Sequence, residues 1–227
     1  SAAEIMRSIA GGHSLSFESN WSGPLLPVVL QHGRADLALL AELAARSGVS
    51  FWLDDDVLRA FGPHDRVDVL ELSAESSVFA IEVSHGPMAP GAVLASGFDP
   101  AAGTAVSAMA LAGDDRDAPT SDAELPLPPP AVGSNDLVLD LAEAARQRHC
   151  ARAREVAIEI EGGDAPTPGQ RVRLASALAP PGIEFTVGVV EHVLSPSTGH
   201  VARVRCLQYD EPTPSSAMLT LGEIVDA

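Results

Sequence analysis

The sequence predicts an α+β protein: a small α+β module over residues 1–66 and a β-barrel domain over residues 67–227 with one inserted helix. Three observations predict it. Apolar residues recur at helical spacing in three separate segments, each bounded by a capping residue or a glycine. Beyond Val67 the pattern turns to extended runs broken by turn residues. The last two of these runs flank Ser195-Pro196-Ser197-Thr198-Gly199 and read as one long antiparallel hairpin.

Taken in order, residues 2–10 place Ile5, Met6 and Ile9 on one side with Glu4 near the start, and Gly11-Gly12 is expected to end this short helix. A Ser, Asn, Gly and Pro-rich loop follows, then Pro27-Val28-Val29-Leu30-Gln31 as a short strand. The second helix opens near Asp36, repeats Leu37, Leu40, Leu43 and Ala44, and stops at Gly48. Residues 49–53 and 57–61 read as strands about a turn at Asp54-Asp55-Asp56. In the second domain, residues 78–83, 92–98 and 104–111 are strands, the last two a hairpin about the turn beginning at Asp99. An acidic, proline-rich stretch over residues 113–133 reads as a surface loop. Asn135 or Asp136 caps a helix over residues 135–151 with Leu137, Leu141 and Ala145 on one side and charge on the other. Strands follow over residues 156–161, 170–174, 183–194 and 200–209. Ala202, Val204 and Cys206 alternate with Arg203 and Arg205, one buried and one solvated face. Closing these strands into a barrel would leave no free edge. The tail from Pro212 has no clear period.

Composition narrows the function classes. Thirty-one acidic residues stand against 14 basic ones, all arginine, for a formal net charge of −17. An acidic body repels phosphate backbones unless its arginines cluster. They gather only at Arg146, Arg148, Arg152 and Arg154 and at Arg203 and Arg205, which read as the solvated faces of a helix and a strand. The 4% aromatic content leaves few platforms for stacking single-stranded bases. No apolar run reaches the ~20 residues of a membrane helix, and the opening residues lack the basic and apolar regions of a signal peptide. Cys150 and Cys206 form neither a disulfide framework nor a thiolate metal motif.

Residues 28–52 carry a recognisable order: a strand ending in Gln31, polar residues, Asp36 opening a helix of Leu and Ala, Gly48, then an aromatic strand with Trp52. This segment resembles the phage late control protein D and VgrG-type baseplate hub family of phage and phage-like contractile injection systems. Residues 4–9 resemble the short helix ahead of that signature. Residues 165–172 resemble the family's Pro-Gly turn into a barrel strand, and residues 182–192, with the late His192, its final hairpin. The family pattern begins with a further β-barrel portion, whereas this sequence opens at the helix, and the acidic proline-rich stretch lies outside the pattern.

The resemblance implies a tail-tube-like barrel and a structural ring subunit, best as a homotrimer, that joins the tail tube protein to the central spike protein and contacts other baseplate proteins. It implies location in the tail baseplate of a virion or phage-like particle assembled in the bacterial cytoplasm. With the composition and the motifs, it leaves no enzymatic activity, cofactor or metal, no specific nucleic-acid binding and no membrane insertion expected. Gln31, Asp36, Leu40, Gly48, Trp52 and His192 are its structural signature here.

The residues themselves point to no chemistry. His64, Asp65 and Asp68 match neither a zinc helix motif nor a calcium loop, and read as a solvated turn. Gly-x-Ser-x-Gly is absent, and Cys150 beside His149 reads as a surface pair on an arginine-rich helix. Glu159 and Glu161 share one strand face, as a glycosidase pair would, but alternate acids are the ordinary outcome on an exposed strand. Two other readings stay open: a tail-associated peptidoglycan hydrolase, which requires paired carboxylates or a metal in a cleft, and a generic β-barrel binding module.

Overall fold

The computed structural model describes residues 1–26, 28–62, 65, 69–73, 78–111, 120–128, 134–175, 183–209 and 218–220. In chain order its elements are α1 (Ala2–Gly12), β1 (Ser16–Glu18), α2 (Asp36–Ser47), β2 (Ser50–Asp54), β3 (Val57–Phe61), β4 (Val69–Leu72), β5 (Val78–His85), β6 (Ala89–Asp99) and β7 (Thr104–Leu111). The remainder are β8 (Thr120–Pro126), α3 (Asn135–Ala151), β9 (Arg154–Glu161), β10 (Arg171–Leu174), β11 (Glu184–Ser195), β12 (Gly199–Leu207) and β13 (Met218–Thr220). The strands form three sheets, ordered β1-β3-β2, β4-β10-β11-β12-β9-β5 and β13-β7-β6-β8.

The first sheet lies against α1 and α2. Ser1 caps α1 in a reciprocal box with Glu4, which satisfies amide groups that the first helical turn leaves unpaired. Gly48 closes α2 in the left-handed conformation at φ 67°, where a side chain would be strained. Met6, Leu40, Leu43, Leu58 and Ala60 share one core. Three expectations fail here. Among the described residues 28–31 there is no strand; β1, unforeseen, takes the edge beside β3 in parallel. Leu37 is 66% exposed, and Leu39 is buried in its place. Helix α1 runs through Gly11 and Gly12 rather than stopping before them.

The six-stranded sheet is curled, and its strands supply their own core. Val156, Ile158 and Ile160 of β9, Phe185 and Val187 of β11, and Ala202, Val204 and Cys206 of β12 are buried on one face. Each valine, isoleucine or phenylalanine among them contributes roughly 1.5–3 kcal/mol when taken from water. The expected closed barrel is corrected to an open half-barrel, with edges at β4 and β5. After β5 the chain continues into a separate sheet, passing at Gly86 so close to the end of α3 that a side-chain carbon there would lie 2.1 Å from the Arg152 carbonyl oxygen.

That separate, four-stranded sheet packs on α3. Val138 and Ala142 meet Ala95, Val106, Ala108 and Ala110, small residues that let helix and sheet approach closely. Ser134, not Asn135 or Asp136, caps α3 by accepting the Leu137 N–H. Two elements were not expected. Strand β8 lies within the proline-rich stretch and pairs in parallel with β6; as an edge strand it tolerates Pro126. Strand β13 lies within the tail and pairs with β7. The rest of the proline-rich stretch and of the tail lies outside the described residues.

The charged side of α3 is not simply solvated. Arg146 is only 3% exposed, because α3 is held between the sheet and α2. Its guanidinium makes a two-pronged bond to the Glu143 carboxylate, at 2.6 and 3.0 Å, which compensates the burial of its charge. Cys150 is likewise buried, not a surface thiol.

Candidate functional site

The face of the six-stranded sheet opposite its core is where this chain exposes ordered, chemically varied side chains. Register places Ala80 of β5, Glu159 of β9, Arg203 of β12 and Glu191 of β11 in one transverse row. Glu82, Ala157, Arg205 and Val189 form the next row. A groove of about 470 Å³ runs over these rows. A second hollow of about 360 Å³ adds Phe79, Val193 and Val201. Arg203 donates from Nε to Glu159 at 3.0 Å, so the groove's central cation is matched within the chain. Towards the β4 edge, Arg173 bridges Glu71 and Glu184, and Arg171 also pairs with Glu184. Charges of both signs alternate among small apolar residues, a surface suited to register-specific contact with a protein partner.

The signature residues of the first module resolve into two clusters, one between the helices and one on the strands. Asp36 accepts hydrogen bonds from Gln31 Nε2 at 2.6 Å and from His13 Nε2 at 2.7 Å, so the loop before α2 and the end of α1 meet at one carboxylate. Trp52 stacks at 5.7 Å from Phe61, and the absence of a side chain at Gly169 leaves room for its indole. Leu40 lies in the core and Gly48 abuts Ala144 of α3. His192 is remote from all five, near the β11–β12 turn, beside His200.

The His13 and Gln31 hydrogen bonds hold the Asp36 carboxyl below its ordinary value of 3.8. A carboxyl whose folded value is depressed stabilises the fold above its unfolded value, and that contribution is lost as pH falls through the folded value. Asp36→Asn is therefore expected to lower the melting temperature at neutral pH, with the gap from the native chain narrowing below pH 3.8 and closing under the folded value. Melting curves across that range measure it; a gap independent of pH would contradict the assignment.

Neither nucleophile nor metal cluster emerges from the described residues. Burial pushes the Cys206 thiol up to about 12, which keeps it protonated and unreactive. Glu159 is engaged by Arg203, and Glu161 is exposed at the strand end. Among the described residues no group of three or more His, Cys, Asp or Glu gathers to hold a metal ion. Of His64, Asp65 and Asp68 only Asp65 is described, and it accepts the Gly62 N–H at 2.6 Å. No helix among the described residues is long and apolar enough to cross a membrane.

No protein-family model and no curated protein matches the sequence. Solved structures do match its fold. The 43 kDa tail protein of prophage MuSo2 from Shewanella oneidensis superposes with a TM-score of 0.66 at 14% identity, covering 91% of this chain and 64% of that one. The fold is that of phage tail proteins. A tail protein from Neisseria meningitidis MC58 gives 0.62 at 14% identity over 91% of this chain and 66% of its own. The Escherichia coli c3393 protein, a type VI secretion component with structural similarity to the T4 tail proteins gp27 and gp5, gives 0.54 at 11% identity over 91% and 49%. This chain spans less than two thirds of the length of each of these proteins. Within the tail-protein fold, the groove lies on the six-stranded sheet, the Asp36 cluster joins α1 to α2, and the Trp52 cluster lies on the first, three-stranded sheet.

Proposed function

We propose that this chain is a structural subunit of a phage tail or phage-like injection particle, and within it a baseplate hub that forms a ring joining the tail tube to the central spike. The observation that carries the reading is the tail-protein fold over 91% of the chain, shared with a prophage tail protein, a second bacterial tail protein and a secretion-system component. The charged and apolar groove on the six-stranded sheet supports it, as a surface fitted to protein neighbours. In this reading the chain divides into a module over residues 1–66, with its own core about α1 and α2, and a domain over residues 67–227. Gln31, Asp36, Leu40, Gly48 and Trp52 hold the module's shape, and His192 marks the final hairpin.

Its partners are two further copies of itself, the tail tube protein, the spike protein and other baseplate proteins, within a particle assembled in the bacterial cytoplasm. The role is mechanical, without turnover. A net charge of −17 suits a ring through which polyanionic cargo passes, since attraction would have to be broken at each step. Light scattering at high protein concentration is the test. A closed ring is expected, three-fold in mass as in the hubs it resembles, because a head-to-tail interface repeated between identical subunits closes into a ring. A strict monomer would overturn the hub reading, and hydrolysis of peptidoglycan by the purified chain would favour the hydrolase instead.

A further inference from the structure

The β11–β12 hairpin brings together two histidines that lie eight positions apart in the chain. Leu194 pairs with His200 and His192 with Ala202, so the two histidines are diagonal neighbours on the same face of the ladder. Their rings face each other with His192 Nδ1 3.0 Å from His200 Nε2, centroids 5.1 Å apart and planes tilted by 42°. Both residues are exposed, so an ion reaches them from solvent without opening the fold. Their geometry is also held from behind. The His200 ring sits on Gly162, where a side-chain carbon would come within 2.3 Å of it.

We propose that His192 and His200 form a two-histidine site for a borderline divalent transition-metal ion, Zn²⁺ being the representative case. Two imidazole nitrogens bound at ~2.0–2.1 Å to one tetrahedral ion stand about 3.3 Å apart. The observed 3.0 Å reaches that distance with an opening of a few tenths of an ångström, which exposed rings on paired strands accommodate. Without metal, one ring donates its proton to the lone pair of the other. On binding, the ion takes the place of that shared proton, which shifts to the outer nitrogen of its own ring, so both rings ligate as neutral imidazoles. Two protein ligands leave two positions of a tetrahedral ion for water. Carboxylate-preferring Mg²⁺ is not expected to bind, since nitrogen pairs suit borderline ions. The inference is independent of the hub reading, because it rests on the hairpin alone.

Calorimetric titration of the untagged chain with zinc chloride, accompanied by imidazole nitrogen NMR, tests it. One equivalent is expected to bind at micromolar concentration and to shift the His192 and His200 resonances, while magnesium chloride gives no response. His192→Ala and His200→Ala should each weaken binding by about tenfold or more, at least the loss that follows when only a ligand's outer hydrogen-bond partner is removed, and His85→Ala, on an exposed edge strand, should leave it unchanged. Circular dichroism confirms that each variant is folded. Absence of zinc binding, or binding undiminished in both single variants, would overturn the site.

Discussion

Phe185→Ala is expected to destabilise the protein by about 3–5 kcal/mol, the range for truncating an enclosed phenylalanine. Phe185 is 1% exposed and among the largest fully buried side chains. It lies on β11 opposite Val172, in the core that the curled sheet builds from its own strands. Because that core is drawn from the strands of one sheet, the hole left by the ring is refilled only by distorting the sheet's curvature. Phe79→Ala supplies the contrast. Phe79 is 63% exposed on the opposite face, and its loss should change stability by no more than about 0.5 kcal/mol. Urea denaturation of the two variants reads the difference directly; equal losses would mean that the buried and exposed faces are wrongly assigned.

Leu40→Ala is the second large effect, expected at roughly 2–5 kcal/mol. Leu40 is 7% exposed, on the side of α2 that shares a core with Met6, Leu43, Leu58 and Ala60. Leu37, three residues earlier, belongs to the same periodic series in the sequence yet is exposed, so Leu37→Ala should have little effect. Thermal melting of both variants checks the orientation of the helix. An unchanged melting temperature for Leu40→Ala would show that this face does not meet the sheet.

Leucines at three- and four-residue spacing identify α2, but they leave its rotation about its own axis open by about one position. Leu37 and Leu39 are exchanged between solvent and core for that reason. Hairpins were legible for a stronger reason. Turn residues act locally, so Asp55 at φ 49°, the Asp99 carboxylate bonded to the Ala101 and Ala102 amides, and Gly199 at φ 71° mark their turns without help from distant contacts. The alternation of Ala202, Val204 and Cys206 with Arg203 and Arg205 likewise foretold which face of β12 is buried, since the strand period of two is a local property.

Local chemistry in the chain therefore settles the kind of element at most positions, the three helices, the long hairpin and an α+β class, since capping, turn chemistry and periodicity act over a few residues. Partner choice and layer order come instead from packing between distant segments. Strands β1, β8 and β13 exist because β3, β6 and β7 offer ladder partners, and their own short or proline-bearing sequences carry no sufficient signal. Arg146 is buried because α3 lies between two layers, a position its charge does not disclose. His192 meets His200 because the β11–β12 register places them diagonally; eight residues of separation become 3.0 Å only when the two strands pair. The half-barrel stays open because its edge strands β4 and β5 do not pair, an outcome of packing between distant segments that no local run of residues contains.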